Sequence, residues 1–393
     1  MNIKKFKKTN FLIINCNWLF LGFLLDFFIF LKNLFLPPAI LVIRLDSIGD
    51  YVLFRNFLEE IKKDKRYEKW RLILAGNQVW KSIAEEFDSP WIAKFIWIDK
   101  DKFRADIFYF LRIALQIKMA GAKIAVEPTL SRTYIGDLLV GISRAKRRAG
   151  STGYDNNIAA ENKKIGDSYY TELIPLDKKK YFEFEQNKIF WETFLGRKLE
   201  TKLAFTATGK WPKINLQYEK YIILFPGARF DYRRWSPENF SQVARFIKEK
   251  NGHDIIICGG PEDKESADKI IALAGDKNAL SLAGQTSPAQ LFAIIAKAEF
   301  LISNDTCAIH MAVAAKIPTI CISNGNHFGR FTECPKEIFS DIWYVYPPKI
   351  ENLLADPEIL KEKFKLESKL DINTITIEKI TNLFQKKHKI IYE

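Results

Sequence analysis

Residues 301–315 read Leu301-Ile302-Ser303-Asn304-Asp305-Thr306-Cys307-Ala308-Ile309-His310-Met311-Ala312-Val313-Ala314-Ala315. The apolar run Phe300 to Ser303 predicts a buried strand, Asn304-Asp305-Thr306 a polar turn, and the small-residue run after it a helix. A strand that passes through a short turn into a helix is the repeating joint of a parallel α/β sheet. The joint aims several backbone N–H groups and the positive end of a helix at one point, which suits an anion such as a nucleotide diphosphate. The same turn also reads as a plain capped helix, with Asp305 or Thr306 as N-cap and His310 on a packed face.

The same joint recurs on both sides of this stretch. Upstream, Ile40 to Arg44 predicts a strand, Leu45 to Asp50 a loop, and Tyr51 to Lys63 a helix. Further strands are expected at Arg71–Ala75, Phe95–Ile98 and Lys123–Val126, followed by a polar, breaker-rich stretch from Asn156 to Lys180 and a helix from Phe182 to Leu195. Near Lys210 the pattern restarts. Strands are expected at Tyr221–Phe225, Asp254–Cys258, Ala279–Leu282 and Thr319–Ile322, and helices at Pro237–Asn251, Asp263–Ala274 and Pro288–Ala298, with a last amphipathic helix at Thr374–Lys387. The expected organisation is α/β: two Rossmann-like domains facing a central cleft, at 39–210 and 211–348, with a helical tail at 349–393. Open parallel sheets bind ligands beyond the carboxyl ends of their strands. The loops there carry Asp50, Arg229 to Arg234, Glu262, Asp305 to His310, and His327.

The N-terminal segment, residues 1–38, has a different character. Phe11 to Leu36 is almost continuously apolar, preceded by Lys4, Lys5, Lys7 and Lys8 and ended by Pro37-Pro38. It is long enough to span a bilayer, but spanning with those lysines inside would export the rest of the chain. Asn15, Gly22, Asp26 and Asn33 fall on one narrow helical stripe. The expectation is a membrane-associated helix, peripheral or monotopic, lying in the interface or dipping into it, with spanning or a buried helix as alternatives. The 393 residues carry a net charge of +13, with 48% hydrophobic and 27% charged residues, as in folded domains with a basic surface. Such a surface suits phosphate-bearing substrates or an anionic membrane; no zinc-finger or RNA-binding signature points to nucleic acid. The five cysteines form no CxxC pair and read as reduced thiols.

Several residue types at these loops fit group transfer. Asp50 opens a helix and reads either as an N-cap or as a carboxylate able to take a proton from a hydroxyl. Arg229, Arg233 and Arg234 lie in a glycine-containing loop before the Ser236-Pro237 helix start, and guanidinium groups pair bidentately with phosphate; an exposed basic loop is the plainer alternative. The four histidines (His253, His310, His327 and His388) show no metal-ligand spacing, so no metal is expected. The pair Asp99-Lys100-Asp101 reads as a solvated loop. No GxxxxGK[ST] loop is present, and no GxGxxG follows the first strand.

Together, Ile43-Arg44-Leu45-Asp46-Ser47-Ile48-Gly49-Asp50, Phe225-Pro226-Gly227-Ala228 with Arg233-Arg234-Trp235-Ser236-Pro237-Glu238, Cys258-Gly259-Gly260-Pro261-Glu262, and Ser303-Asn304-Asp305-Thr306 with His310 resemble glycosyltransferase family 9, the bacterial heptosyltransferase-like enzymes. The resemblance covers roughly residues 39 to 345. It implies a GT-B architecture and inverting, metal-independent transfer from a nucleotide-sugar, with no cofactor. ADP-heptose is the best-known donor. It implies Asp50 as general base, with Gly227, Arg233, Arg234, Gly260, Glu262, Asp305, Thr306 and His310 on the donor side. Ser47, Arg132, His327 and Arg330 are candidates for the acceptor side. The implied acceptor is a lipopolysaccharide or another lipid-linked glycan at the cytoplasmic face of the inner membrane. Cys307, where the family usually has glycine, and the segment Gly325 to Phe331 depart from the pattern. A nucleotide-sugar epimerase of similar fold and a non-catalytic nucleotide-sugar-binding component of an assembly complex are the alternatives.

Overall fold

A computed structural model describes residues 31, 35–154, 158–175, 182–205, 212, 216, 218–275 and 279–392. It contains two six-stranded, all-parallel sheets. In the first domain the strands are β1 (Ala39–Arg44), β2 (Arg71–Asn77), β3 (Lys94–Ile98), β4 (Ile124–Glu127), β5 (Arg147–Ser151) and β6 (Glu172–Ile174). Their spatial order is β3-β2-β1-β4-β5-β6. The second sheet uses β7 (Tyr221–Phe225), β8 (Asp254–Ile257), β9 (Leu280–Ser281), β10 (Phe300–Asn304), β11 (Thr319–Ile322) and β12 (Ile342–Val345), ordered β9-β8-β7-β10-β11-β12. Both sheets therefore follow one plan: three strands laid outward one way, then a return past the first strand and three laid the other way. The reversal lies between β1 and β4 and between β7 and β10, and it opens a crevice at the carboxyl ends of those strands.

The central strands β1, β7 and β10 are buried along their whole length, as both-face coverage by helices demands. Three strands were not legible in the sequence. β5 is Arg-Arg-Ala-Gly-Ser, β6 spans three residues inside the polar stretch, and β12 is an edge. The pairing of β5 and β6 comes from the neighbouring strand, not from apolar content, whereas β12, Ile-Trp-Tyr-Val, is apolar but only four residues long.

The first helix also differs from expectation. The segment expected as one helix from Tyr51 is two pieces, α1 (Ile48–Val52) and α2 (Phe57–Lys63). Among the helices that frame the rest of the fold are α3 (Ile107–Met119), α4 (Tyr134–Ser143), α5 (Glu183–Leu195), α6 (Pro237–Asn251), α7 (Lys264–Ala274), α8 (Pro288–Ile295), α9 (Cys307–Ala315) and α10 (Ile377–Tyr392). Helix α10 is no loose tail: Ile380 and Phe384 are fully buried with Ile222, Phe240 and Phe300 in the second core.

The hydrophobic segment 11–36 lies outside the described residues apart from Leu31, Phe35 and Leu36. Among the described residues no helix is long and apolar enough to cross a membrane.

The two domains share one apolar seam. Phe87 of the first domain meets Phe292 of α8 edge-on at 5.9 Å, and Phe205 packs on both, 5.1 Å from Phe87 and 4.4 Å from Phe292. Ser82 Oγ accepts from Ala289 N at 3.2 Å beside them. Aromatic contacts of this kind add about 0.5–1.5 kcal/mol each beyond their buried area. The seam holds the carboxyl ends of the two sheets against each other.

Candidate active site between the domains

The seam is also closely packed where α1 meets α9. A Cβ placed on Gly49 would lie 2.8 Å from His310 Cδ2 and 3.5 Å from Cys307 Cα. Glycine is required there because the first turn of one domain's helix rests on the first turn of the other's. Cys307, which departs from the expected glycine, faces this side-chain-free position, so the two neighbours share the available room.

Gly49→Ala is therefore expected to impair function. Alanine would gain up to about 1 kcal/mol of helix propensity, but overpacking typically costs about 1–3 kcal/mol, and His310 is buried. A fall in turnover, relieved in the Gly49→Ala/His310→Ala double variant, is the expected result; an unaffected single variant would refute the contact's importance.

On the first-domain side, Ser47 is the N-cap of α1 and Asp50 sits at its third position, so Asp50 does not open the helix as expected. Asp50 Oδ2 accepts from Ser47 N at 3.2 Å, which turns the carboxylate back over the loop after β1. Beneath lies Arg44, the last residue of β1 and fully buried. Its Nη1 donates to Asn187 Oδ1 at 3.0 Å and its Nη2 to the Asp50 carbonyl at 3.3 Å. Its guanidinium stacks on Phe54 at 4.3 Å. Asp46 Oδ2 is 2.7 Å from Arg44 Nη2, yet neither Asp46 oxygen has an aligned hydrogen-bond donor. Burial pushes the Asp46 carboxyl up to about 7, against the pull of Arg44 and with added repulsion from Asp50 and Glu183.

Glu183, the first residue of α5, joins this cluster to the second domain. Its Oε2 accepts from Arg330 Nε at 2.8 Å, and its Oε1 lies 3.8 Å from Arg44 Nη2. Its backbone N–H also donates to the Arg330 carbonyl at 3.0 Å. Arg330 is buried and lies over the Tyr154 and Phe331 rings at 4.6 and 4.7 Å. Burial works against its charge, but Glu183 and Asp50 outweigh burial and its pKa is raised.

On the second-domain side, Asn304 at the end of β10 stitches the loop after β7 in place. Its Nδ2 donates to the Pro226 carbonyl at 2.6 Å and its Oδ1 accepts from Trp235 N at 3.3 Å. Thr306 is the N-cap of α9, its Oγ1 accepting from Ala308 N at 3.3 Å. Asp305 is buried and accepts from Arg233 Nη2 through both its carbonyl and its Oδ2, each at 2.8 Å. Ser323 Oγ donates to the same Oδ2 at 3.3 Å. Arg233 Nε is buried without a hydrogen-bond partner. Arg234 holds its own loop, with Nε on the Ala228 carbonyl at 2.8 Å and Nη2 3.3 Å from Asp263 Oδ1. Burial drives the His310 pKa down to about 4, so at neutral pH the ring is an uncharged wedge between the domains.

Other expected positions fall differently. Glu262 is exposed, and the adjacent Asp263 is the inward residue. Asp263 Oδ2 accepts from Gly260 N at 2.8 Å and would lie 2.1 Å from a Cβ on Gly227. Glycine at Gly227 thus serves the close packing of this loop, whereas a Cβ on Gly260 would meet only the exposed Glu262 carboxylate. Arg132 lies in a buried network in the first domain, on Asp137 at 3.0 Å, Asp167 at 2.7 Å and the Ser151 carbonyl at 3.1 Å. With its side chain 1% exposed, it offers no surface to an acceptor. His327 adopts a left-handed backbone, with Nδ1 3.1 Å from the Lys365 carbonyl. Asp99 is an N-cap, accepting from Asp101 N and Lys102 N, not a free loop carboxylate. Lys100 beside it is half-buried and feels the charges of Asp46 and Arg229. Sequence reasoning missed Asp46, Glu183, Asn187, Asp263 and Asn304. Asp46 and Asn304 lie inside two of the motifs that carry the resemblance, with no role expected of them, and Asp263 directly follows a third; Glu183 and Asn187 carry no local signal.

Comparison with known proteins adds to this geometry. The model for glycosyltransferase family 9 (heptosyltransferase) matches residues 142–333. Lipooligosaccharide heptosyltransferase 2 of Campylobacter jejuni is 28% identical over 286 residues, covering 72% of this chain and 79% of that protein. Lipopolysaccharide heptosyltransferase 3 of Escherichia coli is 29% identical over a shorter stretch of 106 residues, 26% of this chain and 30% of that protein. Among solved structures, a family 9 glycosyltransferase from Veillonella parvula superposes with a TM-score of 0.66 at 19% identity, over 90% of this chain and 97% of that one. The E. coli heptosyltransferase WaaC with ADP gives 0.66 at 12% identity, over 89% and 98%. These structures share the fold of this chain.

Proposed function

We propose that this chain, a divergent, heptosyltransferase-like member of glycosyltransferase family 9 that acts as a glycosyltransferase, moves a heptose-like sugar from a nucleotide-sugar, ADP-heptose or a relative, to a lipopolysaccharide or other lipid-linked glycan. The relatives' names point to that acceptor class, and one related structure holds ADP-2-deoxy-2-fluoro heptose. The observation that carries the reading is the seating of α1, which bears Asp50, directly on the first turn of α9, which follows Asp305 and Thr306.

In this reading the reaction is one inverting displacement. Asp50 takes the proton of the acceptor hydroxyl as its oxygen attacks the anomeric carbon. The bond from that carbon to the diphosphate oxygen breaks, and the nucleoside diphosphate leaves with the electron pair. Arg233 supplies positive charge at that oxygen. Its Nη2 is held by Asp305, and its buried Nε has no other partner, so a phosphate oxygen would complete its hydrogen bonding. The N-terminus of α9 adds its dipole. Charge stabilisation by these groups needs no metal. His327 stands toward the acceptor, with Arg330 buried behind it on Glu183. The enzyme works at the cytoplasmic face of the inner membrane, with residues 11–36 and the basic surface as its attachment.

The test is thermal stabilisation by ADP-, GDP-, UDP- and dTDP-sugars, followed by nucleotide release with and without a lipid-linked acceptor. A ligand at 100 times its Kd adds about 2.7 kcal/mol of stability. ADP-sugars are expected to stabilise most, and release is expected to require acceptor and persist in chelator. No response to any nucleotide-sugar would sink the reading.

A further inference from the structure

We propose that the second domain holds a structural site for a divalent transition metal, Zn2+ or a similar ion, formed by His253, Glu299 and His388. These residues come from three separate elements. His253 immediately precedes β8, Glu299 immediately precedes β10, and His388 lies near the end of α10. All three therefore sit at the amino-terminal rim of the parallel sheet, opposite the loops that carry Arg233, Asp305 and His310. One ligand atom from each lies within 4.8 Å of the others.

Two imidazoles and one carboxylate form a donor set that zinc accepts, with a fourth position left for water. Metal bonds of about 2.0–2.1 Å bring tetrahedral donors to about 3.4 Å from one another, so small rotamer shifts close the site. A simple ion pair explains part of the cluster, since His253 Nε2 lies 2.7 Å from Glu299 Oε2. It does not explain why a second imidazole packs there, with the His388 ring 4.9 Å from that of His253 at 77°. Nor does it use His253 Nδ1, which is buried without a hydrogen-bond partner. The His253 and Glu299 side chains are 14% and 18% exposed, so an ion can reach them. No short sequence spacing marks the set, because the fold assembles it across the whole domain. The bound ion would staple the last turns of α10 to the sheet rim, adding a cross-link to a helix whose Ile380 and Phe384 already lie in the core.

The experiment uses the full chain stripped with chelator. Zn2+ is titrated by calorimetry and thermal unfolding, and Co2+ is followed by its visible absorption, which reports tetrahedral ligation. The expected result is one saturable equivalent, a rise in Tm, and tetrahedral Co2+ bands. Loss of a ligand weakens binding at least as much as loss of an outer-shell partner does, so His388→Ala and Glu299→Gln should each lower affinity by roughly tenfold or more. Circular dichroism checks that the variants fold. Absence of saturable uptake or of tetrahedral Co2+ bands in the parent chain overturns the proposal, as does unchanged affinity in folded variants. Sugar transfer is not the readout, so the outcome is independent of the function assigned to the cleft.

Discussion

Asp50→Asn is expected to lower the turnover of sugar transfer by about 10²–10⁴-fold, the usual worth of a positioned general base, while nucleotide-sugar affinity stays unchanged. The amide keeps an oxygen to accept from Ser47 N, so the first turn of α1 stays capped and the loss is chemical, not structural. Asp50→Ala removes the cap as well and is expected to cost about 1 kcal/mol of stability beyond the same kinetic loss. Steady-state rates together with donor binding by calorimetry separate the two effects. Turnover in Asp50→Asn within threefold of the parent would move the base elsewhere, and Asp46, whose carboxyl is held near 7, is the nearest alternative carboxylate.

The largest stability effect is expected at Glu183. Its carboxylate lies 2.8 Å from Arg330 and 3.8 Å from Arg44, all three side chains are nearly inaccessible, and the Arg330 contact crosses the domain seam. Removing one member of a buried ion group leaves uncompensated charge in a low dielectric, which costs about 3–5 kcal/mol. Arg44 would retain Asp46 and Asn187, but Arg330 would lose its only close carboxylate contact among the described residues. Glu183→Ala is thus expected to lower the free energy of urea unfolding by that amount and to loosen the two domains first. A loss under about 1 kcal/mol would mean that neighbouring carboxylates such as Asp50 neutralise Arg330 sufficiently. Glu183→Gln isolates the charge from the packing.

Much of the fold was legible because its signals are local. The strands Tyr221–Phe225 and Thr319–Ile322 and the helix Pro237–Asn251 stand where apolar runs, the Ser-Pro start and the glycine after the helix put them. The loop candidates also converge as expected, since strand ends in a parallel sheet lie on one rim. Asp50 and Thr306 were placed in the right joints, although Asp50 proved to be the third residue of its helix. Arg132 went astray for a physical reason. An arginine in a loop carries no local mark of its eventual partners, and Asp167, 35 positions away, is one of them. Glu183 was silent for the same reason, its partner Arg330 being 147 positions distant. Glu262 is exposed while the adjacent Asp263 points inward, and only the packed loop shows which of the two adjacent carboxylates is buried.

By itself, then, the sequence determined the alternation of strand and helix, the capped turns at the strand ends, and the family resemblance that those turns carry. These depend on hydrogen bonds and hydrophobic periodicity within a few residues, which any short window contains. The 301–315 stretch was a strand, a capped turn and a helix on that evidence alone. Tertiary structure decided what the stretch faces: Gly49 against His310, Arg233 locked to Asp305, and Glu183 bridging two domains. Ion pairs and packing contacts form between atoms a few ångströms apart in space, whatever their separation along the chain. The choice of partner therefore exists only once both sheets have folded and their rims have met.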